Sequence, residues 1–189
     1  IACRAVVLGM AGTSPPDLIT PEPLLPTGRR RPWQTPRNEA ALTSPGTLAR
    51  WAHDSREFRT LLEQIPAELR EKPGAAGTWS PRQIVAHACG WEQEGARRLR
   101  LLAENPDLPD KTYDIDRFNA AEVEIRQRQS WNATLDEFAK ATHSLGLAAT
   151  RLPHDQRARE WLLSRTLDLE GHCDEMRTWL DEVVGAETN

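Results

Sequence analysis

The chain has 189 residues, 39% of them hydrophobic and 28% charged, with a net charge of −4 at neutral pH. That length holds one domain with a substantial core, and the acidic balance argues against a nucleic-acid surface. No run is apolar for long enough to span a bilayer, so neither nucleic acid nor a membrane is an expected partner.

Residues 1–12 are mildly apolar, but their apolar core is short for a secretory signal and no clean small-residue cleavage pattern follows. The next stretch, to residue 46, is rich in proline and contains Gly28-Arg29-Arg30-Arg31-Pro32. Such composition cannot pack a core. Residues 1–44 are therefore expected to be a disordered leader, 45–185 the folded domain and 186–189 a tail. Residues 1–50 carry six arginines against three acids, so the negative charge belongs to the rest of the chain.

Ser44-Pro45 combines a helix cap with a proline at the first helical position. Leu48, Trp51, Phe58, Leu61, Leu62, Ile65 and Leu69 then trace a helix to about Arg70. Lys72-Pro73-Gly74-Ala75-Ala76-Gly77 breaks it. A second helix starts at Ser80-Pro81 and runs to about Glu104, with Ile84, Ala88, Trp91 and Leu102 at helical spacing and His87 inside their stripe. Asn105-Pro106-Asp107-Leu108-Pro109 stops it. Asp114 to Gln129 reads as helical. Trp131-Asn132 allows a restart or a kink, and Leu135, Phe138, Leu145 and Leu152 continue to Pro153. After a polar connection from His154 to Arg159, a last helix carries Leu162, Leu169, His172, Met176, Leu180 and Val183 on one seam and ends near Val184.

No alternating run suggests a strand. The expectation is an all-α fold, four main helices in an up-down bundle with an irregular second connection. Cys3, Cys89 and Cys173 are too scattered for a disulfide framework and read as reduced thiols, which points to a cytoplasmic location.

The two histidines inside apolar seams carry the chemistry. A buried imidazole costs free energy unless it is hydrogen-bonded or binds a metal. Asp168 lies four residues before His172, so the two side chains stack on neighbouring turns. An i, i+4 pair facing His87 from another helix is a way to build a three-ligand site in a bundle. Two imidazoles and one carboxylate suit zinc, nickel, iron(II) or manganese. The plain alternative is a metal-free bundle in which His87 and Asp168 share a hydrogen bond.

Around this site Trp91, one turn beyond His87, is a candidate pocket wall. Tyr113 and Asn119, just after the long connection, are candidates for substrate binding, with turn and cap duties as the alternative. Glu94, seven residues past His87, is a candidate general base for a metal-bound water, or a solvated partner for Arg97 or Arg98. No P-loop, dinucleotide fingerprint, Cys-x-x-Cys or serine-triad order is present.

At Gly77-Thr78-Trp79-Ser80-Pro81 leading to His87, at Trp91-Glu92, at Phe118-Asn119-Ala120 and at the His172 helix, the chain resembles the DinB-like superfamily of four-helix bundles. The DfsB/ClbS-type branch is the nearest in appearance, with mycothiol-dependent maleylpyruvate isomerase-like proteins as cousins. The resemblance covers about residues 47–185. It implies a metal triad of one His on the second helix and a His-x-x-x-His pair on the last. Here Asp168 replaces the first member of that pair if His172 is the second; Met176 replaces the second if His172 is the first. The Trp179-Leu180 close, two turns on, favours Asp168-His172.

The resemblance also implies hydrolytic or thiol-transfer detoxification of a small electrophile, including self-resistance. A low-molecular-weight thiol as co-substrate and a homodimer belong to the same expectation. A non-catalytic bundle that binds or sequesters a small molecule is the competing class.

Overall fold

The computed structural model describes residues 44–187. The leader expected at 1–44 lies outside these residues except for Ser44, where the first helix begins; of the tail expected at 186–189, residues 186 and 187 continue the last helix and 188–189 lie outside. Among the described residues the regular structure is helical: α1 (Ser44–Gln64), a 3-10 turn (Ala67–Leu69), α2 (Pro81–Glu104), α3 (Ile115–Arg126), α4 (Trp131–Ala149) and α5 (Gln156–Glu187). The only bridge pairing among them joins Ala76 and Trp79. No described helix is long and apolar enough to cross a membrane.

Local chemistry explains the boundaries. Ser80 caps α2: its hydroxyl accepts from the Gln83 N–H while the Gln83 side chain accepts from the Ser80 N–H, with Pro81 in the first turn. The preceding turn is drawn together by the Trp79 carbonyl, which accepts from the N–H groups of Gly74, Ala75 and Ala76. Gly74 (φ 109°) and Gly77 (φ 63°) supply the left-handed backbone this turn needs.

Trp131-Asn132 is a restart, not a kink. The Ser130 hydroxyl accepts from the Ala133 N–H and begins α4. The expected 114–129 helix is therefore shorter and stands alone as α3, which Asp114 caps by accepting from the Arg117 N–H. The last helix starts earlier than expected, at Gln156. Within the 154–159 connection, the Asp155 carboxylate accepts from the Arg157 and Ala158 N–H groups and satisfies the first turn.

The most extensive packing is between α2 and α4, and α2 also touches α3 and α5; α1 lies against α5 and α4. α2 is buried on nearly every side. One apolar cluster gathers Phe58, Leu62, Ile84, Val85, Phe138, Leu169, Met176 and Trp179. A second gathers Trp51, Leu99, Leu102, Leu145 and Leu162. The buried polar side chains of α2 are His87, Glu92 and Glu94, and those of α5 are Arg165, Thr166, Asp168 and His172.

Candidate metal centre

His87, Asp168 and His172 come together, each offering one ligand atom within 4.8 Å of the others. All three are buried, His87 completely. Met176 takes no part and sits in the apolar cluster. Of the two alignments, Asp168-His172 is the one whose side chains converge on His87.

The proton positions follow from the partners. The Trp91 indole N–H can only donate, and it donates to Asn119 Oδ1 at 2.8 Å. That contact fixes the orientation of the Asn119 amide. The same oxygen lies 2.9 Å from His87 Nδ1, so Nδ1 carries the proton and donates. Burial pushes the His87 pKa down, despite the upward pull of Asp168, and favours the neutral ring. Its Nε2 lone pair then points at Asp168 Oδ2, 3.1 Å away. Two acceptors facing each other at this distance call for a cation or a proton between them.

His172 repeats the pattern. Its Nδ1 lies 3.0 Å from Glu175 Oε2, an acceptor, so Nδ1 holds the proton here too. Its Nε2 is buried without a hydrogen-bond partner and lies 3.9 Å from Asp168 Oδ1. The two rings meet edge to face with centroids 5.4 Å apart, and Trp79 is edge-on to His87 at 5.1 Å. In a metalloprotein, a ligating imidazole characteristically donates its second N–H to an oxygen. Asn119 and Glu175 stand in that place for the two histidines.

Asp168 has a second partner. Arg165 donates to Asp168 Oδ2 at 2.9 Å and to Glu92 Oε1 at 3.1 Å, and all three side chains are buried. Burial alone would raise the Asp168 pKa, but its neighbours, the Arg165 guanidinium foremost, hold the carboxyl well below the usual carboxylate range. Burial pushes the Glu92 carboxyl up, with Arg165 opposing.

Glu94 does not join the converging ligands. It accepts from Arg97 (2.7 Å, twice), from Lys111 (3.0 Å) and from the Tyr113 hydroxyl (2.5 Å). Burial would raise its pKa, yet these donors outweigh it and bring it down to about 2. The pairing with Arg97, weighed against a base role in the sequence, is the contact it makes.

Trp91 and Tyr113 line a cavity of ≈ 190 Å³ beside the cluster, with Trp161, Leu102, Leu108 and Arg165 among the other walls. Asn119 does not line it; its carbonyl serves Trp91 and His87. Two lining residues connect the cavity to the His87-Asp168-His172 group: Trp91, which bonds Asn119, and Arg165, which bonds Asp168.

Sequence reasoning missed Glu92, Arg165 and Glu175. Arg165 and Glu175 each stand three residues from a ligand on the same helix, a spacing that could have drawn attention to them. Glu92 enters the sequence reading only within the Trp91-Glu92 resemblance and without a role, because its partner is 73 positions away.

Compared with known protein families, curated proteins and solved structures, the chain matches none.

Proposed function

We propose that the protein is a metal-dependent enzyme in which His87, Asp168 and His172 hold a divalent transition ion: zinc, nickel, iron or manganese. It would act on a small electrophilic molecule by hydrolysis or thiol transfer. One observation carries this reading: two buried imidazoles, each with its Nδ1 proton committed to an oxygen, turn bare Nε2 atoms toward one ionised carboxylate. Two bare Nε2 atoms facing a carboxylate that Arg165 already keeps ionised are well placed to share a cation with it. The spacing of up to 4.8 Å is wider than the about 3–4 Å between donors on a zinc-sized ion, so side chains would close in by about an ångström on binding.

A bound ion would supply Lewis acidity and lower the pKa of a water or thiol that it coordinates. The chain's own residues do the rest. Asn119 and Glu175 hold the imidazoles in the ligating tautomer. Arg165 keeps Asp168 ionised and in place. Trp79 covers one edge of His87. Trp91 and Tyr113 wall the adjoining cavity, where substrate would sit, and Glu94 anchors the Tyr113 hydroxyl. The resemblance of the Trp79-Ser80…His87 segment to DinB-like bundles supports the reaction class, with detoxification or self-resistance as its setting and a low-molecular-weight thiol as the co-substrate of the transfer variant.

A second reading has an observation of its own. Arg165 already compensates Asp168, and a proton on His87 Nε2 would complete a metal-free network. The protein would then bind or sequester a small molecule without turnover. Metal content after purification without chelators or an affinity tag separates the two. About one transition-metal ion per chain supports the enzyme; a metal-free protein supports the binder.

A further inference from the structure

The cavity beside the cluster has a composition of its own. Trp91, Tyr113 and Trp161 form one aromatic wall, with ring centroids 5.2 to 6.2 Å apart. Leu99, Leu102, Leu108 and Ile115 add an aliphatic wall. A cavity of about 150 Å³ accepts a benzene ring, so one of ≈ 190 Å³ takes a single ring with a small substituent.

The charges are graded with depth. Asp110, Lys111 and Glu160 are exposed at the rim, where water screens them. Arg98 and Arg157 are half-buried and Arg165 is buried, and the lining has no acid at that depth. Two of these three arginines are spoken for. Arg165 serves Glu92 and Asp168. Arg157 gives its guanidinium to the Leu108 and Pro106 carbonyls and lies 3.7 Å from Asp155. Arg98 donates one N–H to the Pro109 carbonyl at 2.7 Å and, among the described residues, pairs with no carboxylate. It stands seven residues after Trp91 on the same face of α2, so its unspent donors lie at the end of the aromatic wall.

We infer that this cavity binds a small aromatic monoanion, with its ring against Trp91, Tyr113 and Trp161 and its carboxylate on Arg98. A planar guanidinium matches a carboxylate with two parallel hydrogen bonds. Gly95 is part of the same construction, because it lets Trp161 lie flush on α2; a Cβ there would come 2.2 Å from the Trp161 ring nitrogen. Binding in this cavity needs no metal. That the bound molecule is also what the enzyme acts on rests on the function proposed above.

Calorimetric titration of the full chain with benzoate, in the presence of a chelator, tests the inference separately from metal binding. Saturable binding of one benzoate per chain is expected, with benzylamine at least tenfold weaker. Arg98→Gln should weaken benzoate at least tenfold, and Arg98→Lys less than that. Ser164→Phe, which fills the cavity, should abolish binding. Arg98 is half-exposed, so its variants should keep the native helical signal even if Ser164→Phe does not fold. The inference is overturned if benzoate does not bind, if benzylamine binds as well, or if Arg98→Gln binds benzoate like the parent.

Discussion

At His87 the cost of burial sets the chemistry. An imidazole with no exposure to water must satisfy both ring nitrogens inside the protein. Asn119 does this for Nδ1 and leaves Nε2 committed to the Asp168 side. Replacing Asn119 with Leu should therefore weaken metal binding by about 10–100-fold, the usual range for losing such an orienting partner. Asn119→Asp, which keeps an acceptor oxygen, should recover most of it. Equal losses in the two variants would reduce Asn119 to a packing residue.

Glu94 permits a pH test. Its pKa in the folded chain, about 2, lies below the ordinary 4.5. A depressed carboxyl stabilises the fold above the unfolded pKa and loses that contribution as pH falls toward the folded pKa. Glu94→Gln should thus cost roughly 2 kcal/mol near neutral pH. In urea unfolding the gap between parent and variant should hold down to about pH 5 and shrink steadily below it. A gap that does not change with pH would mean the Arg97, Lys111 and Tyr113 contacts contribute nothing through charge.

Among the elements, α2 carries most of the account, because it supplies His87, Trp91, Glu92 and Glu94 and is buried on nearly all sides. Its two interior glycines are matched to different neighbours. A Cβ on Gly95 would strike the ring of Trp161, whereas one on Gly90 would strike the flexible side chain of Glu122. Gly95→Ala should destabilise the fold by about 1–3 kcal/mol, as overpacking does. Gly90→Ala must shift Glu122 against its pair with the buried Arg126, but helix propensity rises and Glu137 still pairs with Arg126, so it should cost less than Gly95→Ala. Thermal melts that rank the two the other way would contradict this packing of α5 on α2. The start of α2 was legible in the sequence because Ser80, Pro81 and Gln83 act within one turn. The pairing of Asp168 with His172 was legible for the same reason. Glu94 was legible only in its pairing with Arg97: its other donors, Lys111 and Tyr113, come from the connection after α2, which helical period does not place. The Glu92-Arg165-Asp168 network was hidden too, since it joins two helices far apart in sequence.

On the scale of the whole molecule, hydrophobic period and punctuation were enough for the all-helical fold of the described residues, and for a polar group set into its core. They left open whether 114–152 was one bent helix or two. The Ser130 cap decides for two, and so places α3 with Asn119 beside His87. The central claim is that the bundle is built around one ion held by His87, Asp168 and His172. The most direct measurement is a cobalt(II) titration of the metal-free chain, read by its visible absorption and by calorimetry. The parent and Met176→Leu should each take up one equivalent, while His87→Ala, Asp168→Ala and His172→Ala should take up none and keep their helical content. Failure of the parent to bind, or loss of binding in Met176→Leu with retention in Asp168→Ala, would contradict it.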